Sequence, residues 1–160
     1  MEHIIGVISD THGMFDPGIP PLFRNCDHIL HAGDVGTRQV LEQLSRLAPL
    51  TAISGNVDQG ILFPDLESEK MVNLYGIPIF LIHILGDPLR LKSPSRQKIS
   101  SLQPAVVVFG HSHKPFLERI GEVLFFNPGS AGPKRFSLPR GAGILRISGK
   151  DCLGEWIALD

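Results

Sequence analysis

The stretch Ile4-Ile5-Gly6-Val7-Ile8-Ser9-Asp10-Thr11-His12-Gly13 is a β-branched apolar run that stops abruptly at a polar cluster. A short apolar run bounded by a turn signal reads as a strand buried on both faces. The same arrangement recurs along the chain. The run 28–32 ends at Gly33-Asp34, 50–54 at Gly55-Asn56, 77–82 at His83, and 105–109 at Gly110-His111-Ser112-His113. A further run, 123–126, leads into Asn127-Pro128-Gly129-Ser130. In open α/β sheets, ligands collect beyond the carboxyl ends of the strands. Asp10, Asp34, Asn56, His83 and His111 all fall at such ends, which points to one shared site.

Between these runs the periodicity changes. Residues 37–47 place Val40, Leu41, Leu44 and Leu47 on one face of a 3.6-residue repeat, and Pro49 stops it. A short helix is expected at 21–24, and another over 88–102, weakened by Pro94. Hairpins are expected for 70–75 with 77–82 and for 116–120 with 123–126, the latter turning at Gly121-Glu122. Residues 143–147 and 155–159 suggest a last antiparallel pair. Residues 58–69 and the basic stretch 134–141 are expected as loops. Strand–helix alternation followed by hairpins fits a mixed α/β fold with two sheets better than one doubly wound sheet. The whole chain, 1–160, is expected to be a single domain, since 160 residues with 42% apolar content can bury one real core.

The net charge of -1 offers no general attraction to nucleic acid or anionic membrane, so no stable nucleic-acid complex is expected. Phe15, Phe23 and Tyr75 show no stacking stripe and are expected in the core. No segment approaches the roughly 18 apolar residues of a membrane span. The two cysteines, Cys26 and Cys152, are far apart and are expected as unpaired, partly buried fillers. The acidic start of the chain argues against a signal peptide, and a cytoplasmic protein is expected.

Each polar cluster has an ordinary reading. Asp10 can bond local backbone amides, Asp34 can cap a helix, Asn56 can fill a left-handed turn position, and His83 can be a satisfied core histidine. The run His111-Ser112-His113 is harder to dismiss, because burying two imidazoles needs partners. Taken together, Asp10, His12, Asp34, Asn56, His83, His111 and His113 supply seven donors, enough for two metal ions sharing one carboxylate. Imidazole, carboxylate and amide oxygen without thiolate favour Mn, Fe, Zn, Ni or Co. Two such ions about 3.5 to 4 Å apart acidify a bridging water and neutralise phosphoryl oxygens, which is the chemistry of metal-assisted phosphoester hydrolysis. Gly13, Gly33, Gly55 and Gly110 either bring backbone close to the ions or simply turn the chain. Asn127–Ser130 either orients the ligands or is an ordinary turn. His31 is a candidate to support them. Lys134 and Arg135 either touch a substrate phosphate or form a solvated loop.

These motifs resemble the calcineurin-like metallophosphoesterases, in particular the small, minimal phosphodiesterase subfamily that includes the retromer scaffold subunit Vps29. The matching segments are SDTHG at 9–13, HAGD at 31–34, GNVD at 55–58, His83, FGHSHKP at 109–115 and NPGS at 127–130 followed by PKR. The resemblance implies a four-layer α/β/β/α sandwich. It implies Asp10, His12 and His113 on one metal, Asn56, His83 and His111 on the other, and Asp34 bridging both. Asp34, Asn56 and His83 then stand at the reacting centre. It further implies a metal-bridging hydroxide attacking a phosphodiester, two divalent ions with Mn foremost, a small phosphodiester or nucleotide-like substrate, and a homodimer or homotetramer. Larger relatives carry histidine where this chain has Val57, so leaving-group protonation falls to a good leaving group, a water or Asp58. Ile84 stands where the family has glycine. A pocket lined by 55–60 and 84–90 is expected to set substrate choice. The rival readings are a monoesterase and a non-catalytic scaffold.

Overall fold

The computed structural model describes residues 1–58 and 63–160. Among these residues, ten strands form two five-stranded mixed sheets. The first contains β1 (Glu2–Ile8), β2 (His28–His31), β3 (Leu50–Ala52), β9 (Gly141–Ser148) and β10 (Asp151–Ala158), in the order β10-β9-β1-β2-β3. The second contains β4 (Glu69–Leu74), β5 (Ile77–Ile82), β6 (Val106–Val108), β7 (Phe116–Ile120) and β8 (Val123–Asn127), in the order β4-β5-β6-β8-β7. Strands β1, β2 and β3 run parallel, as do β5, β6 and β8. Their carboxyl ends carry the polar clusters.

Alternation along β1 explains the layers. Ile5 and Val7 face the second sheet and pack with Leu30, Ile79, Leu81, Val106, Val108 and Phe126 in a core between the sheets. Ile4 and Ile8 face outward onto α1 (Ile19–Phe23) and α2 (Arg38–Ser45), meeting Phe23, Val40, Leu41 and Leu44. Gly6 interrupts the β-branched run because a Cβ there would stand 3.0 Å from the Phe23 ring. On the far face of the second sheet, Phe80, Val107, Phe109 and Phe125 pack with Ile99 of α3 (Ser95–Leu102). The order is helix, sheet, sheet, helix, as the four-layer expectation requires.

Several boundaries differ from the sequence reading. The expected helix over 88–102 is only a 3-10 turn at Pro88–Arg90 and then α3. Pro94 takes the N-cap position of α3, where its missing N–H costs nothing, and a continuous helix through it would have lost a bond and met a clash. The final antiparallel pair is longer than expected on both strands, since β9 is zipped along its length to β1 as well as to β10. Tyr75 is not core: it sits exposed at the β4–β5 turn, its ring stacked on His3 at 3.7 Å. Phe23 is fully buried and Phe15 packs beside the same helical cluster. Cys26 and Cys152 are buried and unpaired. No helix among the described residues is long and apolar enough to cross a membrane.

Close packing between the sheets is tightest at Gly143 of β9, where a Cβ would lie 2.2 Å from the fully buried Phe126 ring. Gly143→Ala forces that ring off its rotamer and is expected to destabilise the protein by about 1–3 kcal/mol. A lowered urea midpoint with an unchanged slope checks this.

Candidate metal centre

The loops after β1 and β2 are tied backbone to backbone. Asp10 N–H donates to Gly33 O at 3.0 Å, His12 N–H to Asp34 O at 2.9 Å and Gly13 N–H to Val35 O at 2.7 Å. Five of the seven predicted donors have left-handed backbone: Asp10 (φ 55°), His12 (φ 47°), Asp34 (φ 55°), His111 (φ 73°) and His113 (φ 61°). Such residues cost of order 1–3 kcal/mol each and persist where the surroundings over-determine them. Here the strained backbone swings the side chains together at the mouth between the two sheets.

All seven predicted residues meet at this edge. Asp10, His12 and His113 offer donor atoms lying within 4.8 Å of one another, as do Asp34, His83 and His111. Asn56 Oδ1 lies 3.2 Å from His111 Nδ1, so it belongs beside the second group. Asp34 Oδ2 stands between the groups, 3.2 Å from His83 Nε2 and 3.6 Å from His12 Nε2. In the first group, His113 Nε2 is 3.3 Å from both Asp10 Oδ1 and His12 Nε2.

Two of the donor atoms are left bare while the atoms beside them are satisfied, and His113 Nδ1 is a third buried atom without a hydrogen bond. Asp10 Oδ2 accepts from the Ser9 hydroxyl at 2.7 Å and from His111 N–H at 3.1 Å, yet Oδ1 is buried without a hydrogen bond. His83 Nδ1 donates to Ala32 O at 2.7 Å, which leaves the lone pair on Nε2, and Nε2 too is buried without a hydrogen bond. Asp34 Oδ1 accepts from Val57 N–H at 3.0 Å, freeing Oδ2. A buried carboxylate oxygen and a buried imidazole lone pair aimed at one point fit a divalent cation. The titration behaviour agrees. Burial opposes ionisation of Asp34, but the adjacent His83 imidazole and the hydrogen bond from Val57 N–H outweigh it and hold the carboxyl at about 2. Burial also opposes protonation of His83, but Asp34 and Asp10 outweigh it and raise its pKa.

Several supporting residues lock these loops. His31 is fully buried and links both of them. The Thr11 hydroxyl donates to Val35 O at 2.9 Å, so His31 Nε2–H must donate to Thr11 Oγ1 at 2.9 Å, and His31 Nδ1 accepts from Gly33 N–H at 3.1 Å. Asn127 donates to Gly110 O and Ser112 Oγ, and the Ser130 hydroxyl donates to Asp10 O, so the NPGS segment orients the donor loops. Gly55 and Gly110 are close approaches: a Cβ would lie 2.1 Å from Asp34 Oδ1 and 2.2 Å from Ser9 Oγ respectively.

Asp58 departs from expectation. Its carboxylate is fully buried and accepts from Val35, Gly36 and Gly55 N–H at 2.9, 3.0 and 2.9 Å. It clamps the Asp34 loop to the Asn56 loop and is not placed to protonate a leaving group. The sequence marks Asp58 only as a candidate proton donor, because nothing local to GNVD shows that its carboxylate gathers backbone amides. No local signal marks Ser9 as the hydroxyl that orients Asp10. The expected single pocket is two separate recesses. One of about 170 Å³ is lined by Gly55, Asn56, Glu69, His83 and Ile84, and one of about 420 Å³ by Gly86, Asp87, Leu89, Phe109, Lys114 and Phe116. Residues 59 and 60 of that expectation lie outside the described residues. Lys134 pairs with Asp160.

Residues 4–150 match the calcineurin-like phosphoesterase superfamily domain. The chain belongs to that superfamily. Among its members, Probable metallophosphoesterase MJ0623 of Methanocaldococcus jannaschii is 32% identical over 161 residues, covering 94% of this chain and 78% of the relative. Phosphodiesterase MJ0936 of the same organism is 29% identical, covering 92% and 95%. In three dimensions the fold is similar to Vacuolar Protein Sorting 29 from Cryptosporidium parvum, with a TM-score of 0.78 at 19% identity over 99% of this chain and 98% of that one. With two adjoining donor clusters at the superfamily's strand ends, this is a metal-dependent hydrolase site of the binuclear phosphoesterase kind.

Burial pulls His31 down to about 4, from 6.5 when free. A depressed pKa makes the folded state bind fewer protons than the unfolded one. The stabilisation is therefore complete above pH 6.5 and lost as pH falls towards 4. Urea unfolding of the metal-free protein should show a stability loss of up to about 1.4 kcal/mol per pH unit across that window from this group. His31→Asn should be less stable at neutral pH and show a flatter slope.

Proposed function

We propose that this protein is a binuclear phosphodiesterase acting on a small diester. Asp10, His12 and His113 would hold one ion, Asn56, His83 and His111 the other, and the Asp34 carboxylate both. Manganese suits this donor set best, with Ni, Co, Fe or Zn as substitutes. When bound, the ions would acidify a water and neutralise the charge that grows on the phosphoryl oxygens. The chain's own contribution is to aim the donors. The Ala32 carbonyl fixes the His83 tautomer, and Ser9 with His111 N–H orients Asp10 so that its second oxygen is free. Arg135 follows the loop that lies against Asp10 and would meet a phosphate oxygen.

The observation that carries the diester reading is the absence of an acid beside Asn56. The Val57 side chain is 48% exposed and has no proton to give, and Asp58 is committed to three backbone amides. Where a general acid is needed, its loss costs about 10²- to 10⁴-fold in rate. A diester monoanion repels an incoming nucleophile less than a monoester dianion does, so it is the substrate this site handles with least help. The resemblance to small members of the superfamily supports a cytoplasmic homodimer or homotetramer.

Mn-dependent hydrolysis of bis-p-nitrophenyl phosphate should exceed that of p-nitrophenyl phosphate, and Asp34→Ala should abolish it and weaken Mn binding in calorimetry. Undiminished metal-dependent turnover in that variant would remove Asp34 from the bridging position. Val57→His should raise turnover of diesters with poor leaving groups about tenfold or more while leaving p-nitrophenolate esters little changed. A uniform change across leaving groups would show that proton donation does not limit the rate.

A further inference from the structure

Arg140 is a buried cation, 7% exposed, whose hydrogen bonds go to none of the seven donors. Burying a guanidinium is costly, and a buried ion pair often gives no more stability than well-packed apolar side chains would. What an apolar group cannot supply is the planar fork of directed N–H donors. In Arg140 that fork is almost fully used. Nε–H donates to Gly132 O at 2.6 Å and Nη1–H to Asp160 Oδ1 at 3.1 Å. Nη2–H donates to Asp16 Oδ2 at 2.7 Å and to Ala131 O at 3.3 Å.

These partners bracket the loop that carries Asp10 and His12. At its start, Ala131 N–H donates to Ser9 O at 3.0 Å and the Ser130 hydroxyl donates to Asp10 O at 3.1 Å. Gly132 N–H donates back to Ser130 Oγ at 3.1 Å, and a Cβ on Gly132 would lie 2.4 Å from Asp10 O. At its end, Asp16 Oδ1 accepts from Gly18 N–H at 2.7 Å and Asp16 O from Ile19 N–H at 3.0 Å, where α1 begins. Arg140 thus ties the two ends of the loop to one rigid group. Asp10 and His12 both hold left-handed backbone, which persists only where the surroundings over-determine it. Among the described residues, no hydrogen-bond partner of Arg140 lies in the segments that carry Asn56, His83 or His111. Resting on the ligand assignment proposed above, we infer that Arg140 is a positioning residue for one ion only, the ion assigned to Asp10, His12 and His113. It acts through Ala131, Gly132 and Asp16 to keep Asp10 Oδ1 and His12 Nε2 aimed at that ion.

Calorimetric titration of the metal-free protein with Mn tests this without turnover. The wild type should take up two ions. Arg140→Lys keeps a charge beside Asp16 but loses the fork to Gly132 O and Ala131 O. It should weaken one ion about 10-fold or more and leave the other unchanged. Added to His12→Ala it should cost little more, because both changes fall on the same ion, whereas added to Asn56→Ala it should leave neither ion tightly held. Should Arg140→Lys fold poorly, Arg140→Met combined with Asp16→Asn removes both buried charges together and should show the same one-ion loss. Gly143→Ala, which strains the core between the sheets, should lower the urea midpoint with both affinities intact. In turnover, Arg140→Lys should raise the Mn concentration for half activity by the same factor as its binding loss, with kcat recovered at saturating Mn. A loss shared equally by both ions, a lower Tm with both affinities intact, or full additivity with His12→Ala would overturn the assignment and leave Arg140 a stabilising ion pair. A one-ion loss in a protein that turns over no ester removes the diesterase and keeps the positioning role. Diester turnover with an equal loss of both ions does the reverse.

Discussion

Two carboxylates, Asp10 and Asp34, are buried beside the same two imidazoles, His12 and His83, with His113 on the side of Asp10 and His111 on that of Asp34, and the rest of the molecule is arranged around that fact. Taking a charge out of water costs several kcal/mol even after relaxation, so such a cluster is stable only with compensating charge at its centre. Each donor cluster draws on both sheets. Asp10 and His12 come from the first and His113 from the second, while Asp34 and Asn56 come from the first and His83 and His111 from the second. Whatever cation compensates the carboxylates therefore also bridges the open edge of the sandwich, where apolar packing has given out.

The loops cannot take this shape on intrinsic preference, because five donors adopt a backbone hand that L-residues avoid. The shape is imposed by a frame of buried hydrogen bonds: His31 between two loops, Asp58 between two others, Asn127 and Ser130 from the far side. Every group in that frame is satisfied internally, whereas Asp10 Oδ1 and His83 Nε2 are not. The contrast between a satisfied frame and bare centre atoms separates the residues that position from those that bind.

The donors were legible in sequence because each terminates a dense apolar run, and in a parallel sheet the carboxyl ends share one edge. Pairs such as Gly55-Asn56 and Gly110-His111 signalled close approach as well. The supporting frame was harder to see. Asp58 follows a valine within a turn, and nothing local distinguishes a carboxylate that gathers amides from one that faces solvent. The 88–102 helix is over-extended in the sequence reading because Pro94 is taken to weaken the helix, whereas in the structure it starts one. Tyr75 reads as core because the aromatic spacing shows no stacking stripe, while its partner His3 lies in a distant strand that no local pattern can reveal. The pairing of β1 with β9, over a hundred residues away, is likewise invisible to any short window.

That last pairing governs how the chain assembles. All five strands of the second sheet lie in one continuous stretch, so it can form as soon as that stretch is made. The first sheet cannot, because β1 is a central strand whose antiparallel neighbour β9 is made over a hundred residues later. Until β9 emerges from the ribosome, one side of β1 is an unpaired apolar edge, the kind of edge that recruits other chains. Yet α1 and α2 follow closely and can shield the outer face of β1 early. Strand β1 thus waits through the whole of the second sheet for its partner, and the nascent chain is most prone to aggregate just before β9 is made.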